Sequence, residues 1–252
     1  MKTIQTLLIA LAATSPLCGA TNINWMDLSI FTDGGNIFTP SNFNLPGYGS
    51  VTVSYSPSPV FPNFSIPSRY FTRDASGVAD NGSITVGPDT YQWTDLDFIS
   101  GVNGRASDPA ITWDVTFTFN DGPADNIVVG IWGLGHKTTQ GATEATISEG
   151  GTELGQYDVP SVTTAPISAT ATASSISVVN SVTQPNSGSG NSHLGIYELS
   201  NSALSSLTLS AVSHISEDGL GFNIGVVPEP AAFGGVLGLA ALMVARRQRH
   251  AV

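Results

Sequence analysis

Two neighbouring stretches, Ala110-Ile-Thr-Trp-Asp-Val-Thr-Phe-Thr-Phe119 and Asn126-Ile-Val-Val-Gly-Ile-Trp-Gly-Leu134, decide the fold class of this chain. The first alternates apolar and polar residues strictly, which is typical of a strand with one buried and one wet face. The second is apolar on both faces, which favours a central strand covered on each side. A turn sequence, Asn-Asp-Gly-Pro at residues 120–123, separates them. Both stretches therefore predict β structure.

The same kind of pattern continues through residues 21–226, where no convincing amphipathic helix occurs. About ten strands joined by Gly, Pro and Asn turns predict an all-β, antiparallel β-sandwich that is jelly-roll-like. The remaining strand candidates are Ile23 to Phe31, Val51 to Tyr55, Ser83 to Val86, Tyr91 to Ile99, Ser174 to Val179, Leu194 to Leu199, Leu207 to Val212 and Gly221 to Val227.

Residues 161–192 allow two interpretations because they are rich in Ser and Thr. A flexible, glycosylated linker has this composition. However, Ile176 and Val178 alternate with Ser175 and Ser177, which favours an edge strand followed by a long hairpin loop.

The first twenty residues predict a secretory signal peptide. Lys2 precedes an apolar run over residues 7–13, and two small residues close the segment, which favours cleavage between Ala20 and Thr21. The single cysteine, Cys18, lies inside this leader. The mature chain therefore has no disulfide, and packing and hydrogen bonds must hold it together.

The tail, residues 227–252, has three parts. Pro-Glu-Pro at residues 228–230 is followed by an uncharged run over residues 231–245 and then by arginines. As a helix this run would span about 22 Å, which is short for a bilayer core of about 30 Å. Arginines directly after it are expected in the cytoplasm. The residues that define the tail are Val227, Pro228, Glu229, Pro230, Arg246, Arg247 and Arg249.

This tail resembles the PEP-CTERM sorting signal of Gram-negative bacteria. The resemblance implies that an exosortase recognises Pro-Glu-Pro and removes the helix after a transient stay in the inner membrane. It also implies an envelope, biofilm or extracellular polysaccharide role at the cell surface or outside it. The alternative is an ordinary C-terminal membrane anchor behind a Pro-rich linker. The chain thus divides into a signal peptide (1–20), a β-sandwich domain (21–226) and a sorting signal (227–252).

The charge balance argues against nucleic acid as a partner. The formal net charge is −11, from eight basic and nineteen acidic residues. The basic residues at 2, 246, 247 and 249 lie outside the region from Asp27 to Glu229, which carries four basic residues against all nineteen carboxylates, a net charge of −15. Nucleic-acid binding relies on a basic surface, whereas an acidic surface favours solubility or divalent cations.

A candidate ligand face lies in Tyr91-Gln-Trp-Thr-Asp-Leu-Asp97. Period two places Tyr91, Trp93, Asp95 and Asp97 on one face of a strand. Aromatic rings could stack on a sugar while the carboxylates bind hydroxyl groups or Ca²⁺. The alternative is that both aromatic residues belong to the core and that the aspartates end the strand.

No catalytic motif is present, so we expect a binding or structural protein and not an enzyme. The histidines of the mature chain, His136, His193 and His214, have no zinc spacing, and Glu144, Glu149 and Glu153 lack the alternating pattern of sandwich glycosidases. The alternative is a secreted jelly-roll polysaccharide hydrolase or lyase. Two groups are weak calcium candidates and equally ordinary turn formers: Asp74, Asp80 and Asn81, and Asp121, Asp125 and Asn126.

Overall fold

The computed structural model describes residues 20–28, 41–57, 71–74, 81–94, 96–102, 111–132, 143–158, 168–180, 193–200, 203–213 and 219–228. Within these residues the chain forms seventeen strands and no helix, which confirms the predicted all-β class. The strands are β1 (Thr21–Asn22), β2 (Asn24–Trp25), β3 (Ser41–Leu45), β4 (Gly49–Pro57), β5 (Phe71–Asp74), β6 (Gly82–Val86), β7 (Asp89–Trp93), β8 (Asp97–Val102), β9 (Ile111–Phe119), β10 (Ile127–Trp132), β11 (Thr143–Ile147), β12 (Gly151–Asp158), β13 (Ser168–Ala171), β14 (Ile176–Asn180), β15 (His193–Leu199), β16 (Ser206–Ser213) and β17 (Gly219–Val226).

The strands form three sheets. The outer sheet has the order β13-β14-β11-β16-β9-β4-β3, and the central sheet has the order β12-β15-β10-β17-β8-β5, with β2 also paired to β17. The small sheet has the order β1-β7-β6, and its β1–β7 pair is parallel while the other described pairs are antiparallel. The outer and central sheets form the predicted sandwich around a main core. The small sheet covers the other face of the central sheet over a second core.

The strand pairing follows the jelly-roll scheme. β8 pairs with β17, β9 with β16, β10 with β15 and β11 with β14. These nested pairs are those of one long hairpin wound into two sheets, which is how a jelly roll is built. β12 and β13 are an insertion between β11 and β14, and each adds an edge strand to one sheet. The jelly-roll-like prediction is therefore confirmed.

Strand β10 is buried on both faces, as its sequence predicts. All six of its residues are buried. Ile127, Val129 and Ile131 belong to the main core, whereas Val128 and Trp132 belong to the second core. This strand therefore lies at the middle of the three layers.

Strand β9 has one buried face, as predicted. Trp113, Val115 and Phe117 are buried in the main core, while Thr112 and Thr118 are exposed. The alternation continues across the outer sheet, because Leu207 and Leu209 of β16 lie opposite Phe117 and Val115. One face of the outer sheet is thus apolar, and the other is polar.

Two glycines make room for the indole of Trp25 over the central sheet. A Cβ at Gly130 would lie 3.1 Å from Trp25 Cη2, and a Cβ at Gly225 would lie 2.9 Å from Trp25 Cε3. These distances are shorter than ordinary carbon contacts, so the ring packs directly on the backbone of β10 and β17. The second core therefore requires glycine at these two positions of β10 and β17.

Asn223 occupies the place where β17 changes its neighbour. β8 pairs with β17 as far as Phe222, and β2 pairs with it from Gly225. The fully buried Asn223 side chain donates to the carbonyl oxygen of Asp97 at 2.8 Å and to that of Met26 at 3.3 Å. Its amide therefore connects β17 to both neighbouring segments across the gap in the ladder.

The prediction of one strand from Tyr91 to Ile99 is wrong. β7 ends at Trp93 in the small sheet, and β8 begins at Asp97 in the central sheet. Between them, Leu96 is fully buried in the second core. The chain passes from the small sheet to the central sheet between Trp93 and Asp97, so the period-two pattern does not continue across these residues.

Residues 168–180 form the edge of the outer sheet, which favours the strand interpretation of residues 161–192 over a flexible linker. β13 and β14 pair antiparallel. Ile176 and Val178 are fully buried, while Ser175 and Ser177 are half-buried. The predicted Ser-Gly hairpin loop that follows lies outside the described residues.

Candidate functional site

The small sheet holds Tyr91 at the edge of the second core. β6 and β7 form a hairpin in which Val86 pairs with Asp89. Gly87, the first central residue of the turn, has a φ of 59°, and this is the left-handed conformation that two-residue hairpin turns need. Tyr91 packs against the second core but is only half-buried.

Trp93 has a structural position. It is 2% exposed and belongs to the second core. A Cβ at Gly82, the residue opposite Trp93, would collide with the indole, so the hairpin itself is shaped around this ring. Trp93 therefore offers no open face on which a sugar could stack.

The structure does not bring the four predicted ligand residues onto one strand face. Tyr91 and Trp93 share a face of β7, but Asp97 begins β8 in another sheet, and Asp95 lies outside the described residues. Asp97 is half-buried, and its backbone carbonyl accepts a hydrogen bond from Asn223. The predicted ligand face assumed one continuous strand, whereas the chain passes from the small sheet to the central sheet between Trp93 and Asp97.

Other carboxylates surround Tyr91. Asp89 lies two residues earlier on the same face of β7, and Glu198 of β15 lies on the face of the central sheet that carries Leu194 and Ile196. Burial, followed by the negative charges of Glu198 and then Asp89, raises the pKa of the Tyr91 phenol. We call Asp89, Tyr91 and Glu198 the acidic rim. It combines a neutral hydroxyl with two carboxylates, which suits a cation or a hydroxyl-rich ligand.

The predicted cleavage site lies beside the acidic rim. Ala20 is exposed, and Thr21 is the first residue of β1. Thr21 pairs in parallel with Tyr91, and Asn22 pairs with Gln92. The first residue of the predicted mature chain is therefore held next to the rim.

The polar face of the outer sheet carries rows of hydroxyl groups. One row follows the strand pairing across six strands, with neighbours about 4.8 Å apart. A second row crosses β4, β9 and β16, and in it the Thr116 and Thr208 hydroxyls lie 3.1 Å apart. We call the first row the hydroxyl face; it consists of Ser56, Asp114, Ser210, Thr146, Ser177 and Thr170.

The start of the predicted sorting signal lies at the end of the last strand. The backbone N–H of Val227 donates to the carbonyl oxygen of Asn126 at 3.0 Å, and Val227 packs against the second core. Pro228 is exposed. The other sorting residues lie outside the described residues: Glu229, Pro230, Arg246, Arg247 and Arg249.

Asp121 has a structural role at a corner of the outer sheet. Its carboxylate accepts a hydrogen bond from the backbone N–H of Ser50 at 2.6 Å. Asn126 adopts a left-handed φ of 55°, as expected of a turn. Among the described residues, no group of three or more His, Cys, Asp or Glu side chains could hold a metal ion. The side chains of Asp74 and Asp80 lie outside the described part.

Comparisons with known proteins identify no relative of this chain. No family model, curated protein or solved structure matches it. In the parts of the chain that the structure describes, there is no helix long and apolar enough to cross a membrane. The structure thus defines an all-β protein with a jelly-roll sandwich, a third small sheet and an acidic rim.

Sequence reasoning missed Glu198 as a neighbour of Tyr91. The signal that could have found it lies in β15, where every second residue, Leu194, Ile196 and Glu198, lies on the same face of the strand. A carboxylate on the strand face whose other side chains are buried indicates a functional or paired charge, because an isolated buried charge is costly. Its partner on β7 could not be inferred, since the two strands belong to different sheets.

Proposed function

We propose that this chain is an exported cell-envelope or extracellular-matrix protein. Signal peptidase removes the leader, an exosortase processes the tail, and the sandwich binds or organises polysaccharide. The observation that carries the proposal is the position of the strands. The first described strand begins at Thr21, directly after the predicted cleavage site, and the last ends at Val226, directly before the sorting signal. Both cleavages would leave every described strand intact.

The arrangement of the two ends supports processing at the membrane. Asn24 pairs with Val226 and Trp25 with Gly225, so the start of the domain and its end lie side by side. Pro228 follows this pair and is exposed, and a proline cannot donate to a further ladder hydrogen bond. A protease can therefore reach Pro228, the first residue of the motif, without opening the sheet.

The hydroxyl face supports a polysaccharide partner. Five of its six side chains are Ser or Thr, which both donate and accept hydrogen bonds as sugar hydroxyls do. The sheet presents them in a row about 4.8 Å apart. Thr146 and Thr170 are exposed, and Ser177 between them is half-buried. An uncharged glycan chain can thus exchange hydrogen bonds with water for hydrogen bonds with this row.

The sorting part is tested in the native host. Pro228→Ala together with Glu229→Ala should leave the unprocessed protein in the inner-membrane fraction, as deletion of the exosortase should. Asp125→Asn, an exposed change near the same end of the domain, should be processed normally. Normal surface release of the Pro228 and Glu229 variant would contradict the sorting proposal.

The binding part is tested by co-sedimentation with the exopolysaccharide of the host. Thr146→Ala with Ser177→Ala removes two neighbouring hydroxyls of the hydroxyl face and should weaken binding several-fold. Thr85→Ala with Thr90→Ala is the matched control, because it removes a hydroxyl pair 3.2 Å apart on the small sheet. Equal binding by the two double variants would exclude the hydroxyl face.

A second candidate function is that of a polysaccharide hydrolase or lyase, and the acidic rim is the observation that favours it. Two carboxylates beside one tyrosine supply groups for general acid–base catalysis. Purified protein would then release reducing ends or unsaturated sugars from the host polysaccharide, and Glu198→Gln would abolish this activity. Product formation that is unchanged in Glu198→Gln, or absent from the wild-type protein, would exclude catalysis at the rim.

A further inference from the structure

The acidic rim lies next to the residue that becomes the N-terminus. β1 is fixed on β7 by the parallel pairing of Thr21 with Tyr91. The backbone N–H of Ile23 donates to the carbonyl oxygen of Gln92 at 2.8 Å, and the Gln92 side-chain amide donates to Asn22 Oδ1 at 2.6 Å. These contacts determine where the backbone nitrogen of Thr21 lies.

The charged groups that act on Tyr91, the residue paired with Thr21, are both acidic. β7 contributes Asp89, two residues before Tyr91, and β15 contributes Glu198 from the facing sheet. β6, with the sequence Gly-Ser-Ile-Thr-Val, contributes no ionisable side chain. Both carboxylates raise the pKa of the Tyr91 phenol, so both act on the position opposite Thr21. The local field therefore favours a cation.

We propose that the α-ammonium group of mature Thr21 is the counter-ion of Asp89 and Glu198 and locks β1 onto β7. In the precursor this nitrogen belongs to an uncharged peptide bond with Ala20. Cleavage converts it into an ammonium beside two carboxylates, so maturation itself strengthens the small sheet over the second core. The inference rests on the proposed function only for the position of the cleavage site.

The pH dependence of this lock has a definite sign. An α-amino group normally has a pKa of about 7.7–8.0, and neighbouring carboxylates raise that pKa because they favour the charged form. A raised pKa in the folded state gives stabilisation that is complete below the unfolded pKa. It is lost as the pH rises through the folded pKa.

The experiment compares three preparations: residues 21–252 with a free Thr21 amine, the same chain acetylated at this amine, and residues 20–252, which retain Ala20. We expect the α-amino pKa at Thr21 to lie about half a unit or more above its ordinary value. The melting temperature at pH 6 should exceed that of the acetylated chain by about 2 °C. This difference should disappear by pH 10.

Two variants identify the counter-ions. Asp89→Asn with Glu198→Gln should return the α-amino pKa to its ordinary range, whereas Asp125→Asn, an exposed control, should not. An ordinary pKa in the wild-type chain, or an acetylated chain of equal stability at pH 6, would overturn the lock. These measurements use a chain that already begins at Thr21. A different N-terminus on the native protein would thus overturn the proposed processing but not the ion pair.

Discussion

Tyr197 is the residue whose chemistry is least expected in this core. It is fully buried in the main core, and its hydroxyl has no hydrogen-bond partner among the described residues. The hydroxyl lies over Gly195, where a Cβ would collide with it. Leaving a buried polar group without a partner costs about 1–3 kcal/mol. This side chain therefore contributes apolar packing while its oxygen opposes folding.

Tyr197→Phe should consequently leave the free energy of unfolding at pH 7 unchanged or raise it by about 1 kcal/mol. Tyr48→Phe makes the same chemical change with the opposite expected sign, since the Tyr48 hydroxyl donates to the Gly122 carbonyl and accepts from the Asp121 N–H. Urea unfolding of both variants measures the difference. A loss of stability in Tyr197→Phe as large as that in Tyr48→Phe would show that the buried hydroxyl is satisfied.

The same tyrosine gives the protein a pH dependence at the alkaline end. Burial and the charge of Glu153 raise the pKa of Tyr197 in the folded state, whereas the unfolded phenol titrates near its usual pKa of about 10. Stability is therefore complete below about pH 10 and falls above it by up to about 1.4 kcal/mol per pH unit. In Tyr197→Phe this part of the fall should be missing between pH 9 and 11, as urea unfolding at each pH would show.

Asn223 has the opposite role, because its amide satisfies buried carbonyls. Asn223→Ala would leave the carbonyl oxygens of Met26 and Asp97 without this donor in the interior. We expect a loss of about 2–3 kcal/mol in the free energy of unfolding. Asn44→Ala, at an exposed position of β3, should cost less than about 0.5 kcal/mol. Equal losses would mean that the junction between β8 and β2 does not depend on the Asn223 amide.

At the scale of the elements, the contact of β2 with the central sheet depends on a glycine in β17, which has no side chain. A Cβ at Gly225 would lie 2.8 Å from Ile23 Cγ2 and 2.9 Å from Trp25 Cε3. Gly225→Ala should therefore cost about 1–3 kcal/mol through overpacking. In a Trp25→Leu background the cost should fall by at least about 1 kcal/mol, since the ring that it displaces is gone. A double-mutant cycle that shows additive losses would contradict the direct packing of the indole on β17.

The elements that sequence could predict are those whose pattern is local. β9 alternates and β10 is apolar throughout, and both lie where their patterns indicate. β11 and β12 were missed because glycines and threonines hide their alternation, although Ala145 and Ile147 are fully buried. The break between β7 and β8 was missed because it arises from a change of sheet, which depends on the rest of the fold.

The candidate site shows the same limit. Tyr91 stands out in the sequence as an aromatic residue among carboxylates, and the carboxylates that raise its pKa, Glu198 and Asp89, are not among those predicted. Glu198 reaches it from β15 through the stacking of the small sheet on the central sheet. Such a neighbour depends on tertiary packing between layers, which no period along the chain encodes.

At the scale of the whole molecule, the three sheets form three layers with the central sheet in the middle. The two ends of the domain meet at one edge of β17. The sandwich lies between two predicted processing sites, and its first and last paired segments, β2 and β17, are hydrogen-bonded to each other. An acidic domain without cysteines, which we propose is delivered by a leader and released from a short apolar tail, suits the cell surface or matrix. We therefore propose that the chain is processed at both ends.

The most direct test is the intact mass of the protein isolated from its native envelope or matrix, together with the sequence of its terminal peptides. We predict a chain that begins at Thr21 and ends at or near Pro-Glu-Pro, with the apolar run and the arginines removed only when the exosortase is present. A chain that still ends at Val252 in the surface fraction would contradict this prediction.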